Sequence, residues 1–224
     1  MLKPPHPAAI VFDMYGTLVD VAGVAVASRE IVPEPEAFTA LWRSKQLEYT
    51  FLRTLLGRYR DFWLVTQDAL DFALRRLGFR VSPEQRRRLM DAWLRPPPYP
   101  DVATALPRLA DRFRLAVLSN GTPRMLRAGL RGSGLAPHIR TGISAHGVRC
   151  YKPTPRVYGL ALRRLRVPKR RILFVSANPF DVAGAKAFGF RVCWINRAGA
   201  PFDALGLPPD RVASDFEGLA AALE

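Results

Sequence analysis

The sequence predicts an α/β protein: a doubly wound parallel-sheet core with a helical cap domain inserted after the first strand. Three observations predict it. From about residue 99 onward, short β-rich runs alternate with amphipathic stretches, which is how βαβ units look in sequence. A further strand of the same type, "AAIVFD", lies near the N-terminus. Between the two, roughly residues 19 to 98 hold no comparable strand run and show only helical spacing of apolar residues.

The elements follow in chain order. "AAIVFD" is an apolar run that delivers a carboxylate, Asp13, to a loop containing Gly16 and Thr17. In the inserted segment, "PEAFTALWRSKQLEYTFLRTLLGRY" and "DFWLVTQDALDFALRRLG" read as amphipathic helices, and "SPEQRRRLMDAWL" opens with a Ser-Pro-Glu helix start. The chain returns through "RPPPYP", whose prolines make a stiff linker. Then come the strands "LAVLSN", "ISAHGV", "ILFVSAN", "RVCWIN" and "RVASDF". The helical stretches "PRMLRAGLRGSG", "PRVYGLALRRL" and "DVAGAKAFG" separate the first four, and a short helix closes the chain. This divides the chain into a core of residues 1–18 and 99–224 and a cap of residues 19–98, without internal repeats.

Composition narrows the function classes. A chain of 224 residues with 49% hydrophobic content builds a sizeable core. No run of 18 or more apolar residues occurs, and "MLKPPHPAAIVFD" lacks a secretion signal, so a cytoplasmic protein without membrane attachment is expected. Cys150 and Cys193 sit in or beside strand-like runs, with spacing that suggests neither a zinc site nor a disulfide, and are expected to be buried free thiols. The formal net charge of +15 would suit a nucleic-acid binder. The arginines, however, are scattered along helical segments, so a solvated basic surface is expected and nucleic acid is not. Such a field draws small anions toward a cleft. Trp and Leu residues on the insertion could support a homodimer.

In a parallel α/β sheet the ligand crevice lies outside the carboxyl ends of the strands. Asp13 follows "AIVF", Ser119 and Asn120 follow "LAVL", Lys152 follows the strand-like "ISAHGVRC", and Ser176, Asn178 and Asp181 follow "ILFV". Four strand ends would thus gather a carboxylate, hydroxyls, amides, an amine and a second carboxylate around one crevice.

In order and spacing, "FDMYGTLVD", "LSNGTP", "YKPTPRVY" and "FVSANPFD" resemble the haloacid dehalogenase superfamily, and more closely its L-2-haloacid dehalogenase branch. "LWRSKQLEYTFLR" is similar to that branch's cap helix, so the resemblance covers nearly the whole chain. Superfamily phosphatases carry a second aspartate two residues after the first, as general acid, and need Mg²⁺. Here that position is Tyr15, a poor acid at neutral pH, and the metal-binding Asp of the phosphatase pattern falls on Ala177. A halide leaves as an anion and needs no proton.

The resemblance therefore implies a hydrolase of short L-2-haloalkanoates that gives D-2-hydroxyalkanoates and halide through an aspartyl ester, with no metal or cofactor. Asp13 would be the nucleophile, Thr17 its orienting partner, and Lys152 the cation keeping it ionised. Arg43, with Asn120, would receive the halide. Ser119 and the loop amides would hold the substrate carboxylate. Asp181, with Ser176 and Asn178, would activate the water that cleaves the ester. Tyr158 would join the site, and Tyr15, Leu47, Phe62 and Phe180 would wall it. Phe180 and Ser44 stand where the branch often has Trp and Gln. The bare residues allow plainer roles: Asp13 or Asp181 as a cap, Ser119 as a turn former, Arg43 paired with Glu36 or Glu48, Tyr158 as a core residue. A Mg²⁺-dependent phosphatase and a non-catalytic binding protein are the competing functions.

Overall fold

The computed structural model describes residues 6–224; residues 1–5, part of the stretch read as lacking a secretion signal, lie outside the described residues. Six parallel strands form one sheet in the order β3-β2-β1-β4-β5-β6. They are β1 (Ala9–Phe12), β2 (Arg114–Ser119), β3 (Thr141–Ser144), β4 (Ile172–Ser176), β5 (Arg191–Ile195) and β6 (Arg211–Ala213). The strand order reverses between β1 and β4, the place where doubly wound sheets open a ligand crevice.

Successive side chains of a strand point to opposite faces, and the core obeys that period. Ile10, Phe12, Val117, Leu173 and Val175 pack in one apolar layer, while Ala9, Val11, Ala116, Phe174 and Val192 pack in the other. Central strands covered on both faces must be apolar throughout, as "AIVF" and "ILFV" are.

Helices α1 (Ala22–Ser28), α2 (Pro35–Leu55), α3 (Phe62–Leu77) and α4 (Pro83–Ala92) lie between β1 and the rest of the sheet, with no strand among them. Local chemistry sets their ends. Asp61 caps α3 by accepting from the Leu64 amide at 3.0 Å, and Gly78 ends it at φ 72°. Ser82 and Gln85 form a reciprocal capping box on α4, as the Ser-Pro-Glu start suggested.

The proline linker is held rather than free. Asp20 N donates to Pro97 O at 2.8 Å and Tyr99 N to Leu18 O at 3.1 Å, so the outgoing and returning chains pair where the insertion leaves the sheet. Helices α5 (Pro100–Arg112), α6 (Pro123–Gly132), α7 (Pro155–Leu165), α8 (Pro179–Phe188) and α9 (Phe216–Ala221) complete the layers around the sheet.

One expectation needs correction. "ISAHGVRC" is strand only to Ser144; residues Ala145–Val148 form a 3-10 turn, so Cys150 and Lys152 lie on the loop beyond it. The Ser144 hydroxyl causes the break, accepting from the His146 amide at 3.2 Å and donating to Gly121 O at 2.6 Å. Of the insertion's tryptophans, Trp42 and Trp93 are fully buried and meet edge-on at 5.5 Å and Trp63 is partly buried beside Arg124, while Leu52 and Leu55 on α2 and Leu56 just beyond it are exposed. Among the described residues, both cysteines are free and buried, and no helix is long and apolar enough to cross a membrane.

Candidate active site

β1 ends in the loop that carries Asp13. The Asp13 amide continues the sheet ladder by donating to Val175 O at 2.9 Å, so the side chain leaves from a fixed backbone. The loop then turns at Gly16, whose φ of 85° excludes most side chains and which sits close under Asn178.

The Asp13 carboxylate is buried and accepts three side-chain donors. Thr17 Oγ1 reaches Oδ2 at 3.0 Å, Asn178 Nδ2 reaches Oδ2 at 2.8 Å, and Lys152 Nζ reaches Oδ1 at 2.9 Å. None of them is a backbone amide, so Asp13 is not a cap. Thr17 Oγ1 can point its proton at Asp13 because it accepts from the Ala177 amide at 2.9 Å.

Lys152 Nζ also donates to Asp181 Oδ2 at 2.8 Å, bridging the two carboxylates. The ammonium is 2% exposed. Burial pulls its pKa down, but the pull of Asp13 and Asp181 upward outweighs it, and the group stays charged above its ordinary range. For Asp181 burial dominates and pushes the carboxyl up to about 6, against Lys152 and with Asp13. Tyr158 OH donates to the other Asp181 oxygen at 2.7 Å. Asp181 thus spends its oxygens on Lys152 and Tyr158; it does not cap α8, whose N-cap residue is Asn178. Ser176 Oγ accepts from the Asn178 amide at 3.1 Å and so shapes the loop that aims Asn178.

A small cavity of about 10 Å³, room for roughly one water, lies against these groups. Its walls are Asp13, Tyr15, Arg43, Leu47, Phe62, Ser119, Asn120, Lys152, Asn178 and Phe180. All four expected walls, Tyr15, Leu47, Phe62 and Phe180, are present, whereas Thr17, Ser176, Asp181 and Tyr158 do not line it. Tyr158 is fully buried behind Asp181, and Ser44 is exposed and outside the cavity. An open depression of about 900 Å³ along the outer edge of β3 shares no residue with it.

Arg43 reaches the cavity from α2 and pairs with neither expected glutamate, since Glu36 lies beside Arg29 and Glu48 beside Lys45. Its Nη1 donates to Gln46 Oε1 at 2.5 Å, and its guanidinium lies 5.7 Å from the Trp93 ring centre. Gln46 is fully buried and donates to Thr66 Oγ1 at 2.7 Å, which in turn donates to Phe62 O at 2.6 Å. Asn120 Oδ1 accepts the Lys152 amide at 3.0 Å. Ser119 Oγ accepts the Gly121 amide at 3.1 Å, so it is a turn former as well as a wall.

Tyr15 OH points away from the reacting groups and donates to Trp93 O at 3.0 Å. Burial pushes its pKa well above the ordinary phenol value. It cannot protonate a leaving group at neutral pH.

Three residues of the arrangement escaped the sequence reading. Gln46 anchors Arg43 and is signalled only by its i, i+3 spacing on the same helix. Trp93 supplies the carbonyl that holds Tyr15. Arg197, just beyond β5, donates to Thr17 O at 3.1 Å while paired with Asp101 at 2.8 Å; its place after "CWIN" is a strand-end position of the kind that flagged the others.

The family model described as haloacid dehalogenase-like hydrolase matches residues 7–189. The (S)-2-haloacid dehalogenase of Pseudomonas putida is 45% identical over 209 residues, covering 92% of each chain. Haloacetate dehalogenase H-2 of Moraxella sp. (strain B) is 43% identical, over 90% of this chain and 91% of that one. The L-2-haloacid dehalogenase of Xanthobacter autotrophicus, solved with chloropropionic acid covalently bound, superposes with a TM-score of 0.90 at 38% identity, over 97% of this chain and 98% of that one.

Proposed function

The chain belongs to the haloacid dehalogenase-like hydrolases, and within that family we propose that it hydrolyses short (S)-2-haloalkanoates to D-2-hydroxyalkanoates and halide. The observation that carries this reading is a single buried carboxylate, Asp13, fixed by Thr17, Asn178 and Lys152 against a small cavity, with the phenol at position 15 turned away from it.

In this reading residues 19–98 act as a cap over a core of residues 1–18 and 99–224. An Asp13 oxygen attacks C2 of the acid from the side opposite the halogen. The C–O bond forms, the C–halogen bond breaks, and the halide departs with the bonding pair toward Arg43 and Asn120, inverting the carbon. The guanidinium's fork of N–H groups suits a diffuse anion. Ser119 and the amides of the Asp13 loop face the substrate carboxylate. Water then adds to the Asp13 carbonyl carbon, Asp181 accepting its proton, and the ester releases the hydroxyacid while Asp13 regains its charge. Leu47, Phe62 and Phe180 keep competing water from the substrate carbon.

No metal is assigned a step, on donor chemistry. Asp13 and Asp181 already share Lys152 Nζ, and among the described residues no group of three or more His, Cys, Asp or Glu side chains comes together. Ion chromatography should detect equal halide release from (S)-2-chloropropanoate with and without a strong chelator. Phosphate-ester cleavage that requires Mg²⁺, with no halide from any haloacid, would refute the proposal.

Gln46 gives a second test. Gln46→Leu keeps the volume but removes the acceptor of Arg43 Nη1, leaving the halide acceptor loose. A hydrogen bond to a charged group is worth enough that kcat for the chloro acid should fall roughly tenfold or more. The bromo acid should suffer less, because bromide leaves more readily, and KM should barely move. Equal losses for both halogens would assign Gln46 to helix packing alone.

A further inference from the structure

The reaction cavity, at about 10 Å³, adjoins a second space of about 360 Å³ between the C-terminal part of α2 and the Lys152 loop. Phe51, Leu55, Tyr151 and Pro153 line this outer space, and Lys152 and Phe180 are walls of both. Its volume is on the scale of small-molecule sites, and its lining is mostly apolar.

Which way a substrate's alkyl tail runs follows from what the other substituents need. Attack by Asp13 fixes the halogen on the far side of C2, toward Arg43 and Asn120, and the carboxylate belongs with Ser119 and the loop amides. The tail is left the apolar walls. Phe62 and Tyr15 are 1% and 3% exposed and back onto packed rings, Phe62 against Tyr151 and Tyr15 against Trp93. They offer no way outward. Leu47 and Phe180 are both only partly buried, but of the two Phe180 alone also lines the outer space; it stands in the first turn of α8 and meets Phe51 edge-on at 5.2 Å. Lys152, the other wall common to both spaces, is pinned by Asp13 and Asp181, which leaves the Phe180 ring between them.

We infer that the outer space is the subsite for the alkyl tail of the 2-haloacid and that Phe180 is the partition the tail displaces, so that the protein accepts medium-chain 2-haloalkanoates as well as propanoates. This rests on the proposed dehalogenation and adds a substrate class to it. Each methylene covered by Phe51, Leu55 and Pro153 leaves water, which favours the longer acid even where the chemistry is the same.

The test compares kcat/KM for (S)-2-chlorooctanoate and (S)-2-chloropropanoate in the native protein and in Leu55→Asp. Leu55 is 83% exposed, so the change is tolerated by the fold while placing a carboxylate beside the tail. The native protein should use the octanoate at least as well as the propanoate. Leu55→Asp should lower the octanoate-to-propanoate ratio about tenfold, the equivalent of uncovering roughly two methylenes. Octanoate, as a competitive inhibitor, should lose affinity in the variant by a similar factor. An unchanged ratio overturns the inference, and so does a native protein that neither turns over the long acid nor is inhibited by octanoate. A shift in sedimentation with an unchanged ratio would assign Leu55 to a contact between two copies, and overturns it equally. Absence of halide from both acids is a different result, because it removes the functional reading itself.

Discussion

Asp13→Asn should stop halide release, with a fall in kcat of roughly four orders of magnitude or more, as expected when the group that forms the covalent bond is removed. The amide has nearly the shape of the carboxylate, so the loss is chemical. Its fit is still imperfect in a way the geometry foretells. Facing Lys152 Nζ, the amide NH₂ would meet an ammonium at the 2.9 Å position of Oδ1; facing the Oδ2 position, it meets Asn178 Nδ2 at 2.8 Å and Thr17 Oγ1 at 3.0 Å. The second is the cheaper, because it keeps an oxygen on the ammonium, although exchanging the Asn178 amide ends gives up that residue's 3.2 Å bond to Tyr15 O, and the variant should unfold somewhat below the native temperature. The same proposal fixes where water oxygen goes. In a single turnover in heavy-oxygen water, mass spectrometry should find the label in the Asp13 peptide and ordinary oxygen in the new hydroxyl. Label in the hydroxyl with an unlabelled protein would mean water, not Asp13, attacked the substrate carbon.

Much of this was legible because the sheet is buried on both faces. A continuous apolar run is forced on β1, β2 and β4, and the first polar residue after each is forced to the sheet's C-terminal edge, so Asp13, Ser119 and Ser176 could be placed from the string alone. Lys152 was reached by the wrong route. It does not end a strand; it lies beyond a 3-10 turn and is brought back to Asp13 and Asp181 by the loop before α7. The helix α5 did not stand out, because Pro107 interrupts its pattern while sitting inside the helix. Trp93 and Arg197 act through Tyr15 and Thr17, 78 and 180 residues away, and spacing along the chain carries no trace of such contacts; Gln46 had only its i, i+3 spacing to Arg43 to mark it. The roles of Arg43, Asn120 and Phe180 came from the resemblance, not from periodicity. What the coordinates add is the direction of each side chain, above all that Tyr15 gives its proton to the Trp93 carbonyl rather than to the cavity.

Lys152→Met should be the most damaging substitution to both fold and activity. Methionine fills the space of the lysine stem but leaves Asp13 and Asp181, respectively 7% and 0% exposed, without the cation that both contact. Removing one partner of a buried charge network costs about 3–5 kcal/mol, which for a chain of this size lowers the unfolding temperature by roughly 10 °C. The sign of its pH dependence is fixed. In the native protein burial already pushes the Asp181 carboxyl up to about 6 against the pull of Lys152; losing the ammonium raises it further, so the variant's deficit is full where Asp181 is ionised in both proteins and shrinks as pH falls through that raised range. The gap between native and variant unfolding temperatures should therefore be wide at pH 8 and narrow at pH 5. Residual turnover should climb with pH, since an Asp181 that holds its proton cannot take one from the water that cleaves the ester. Adding Asp181→Asn removes one of the two unpaired charges, so the double variant should be more stable at pH 8 than Lys152→Met alone. A single variant that keeps its stability at pH 8, or a double variant less stable than the single, would show that the ammonium is not what lets two carboxylates share this interior.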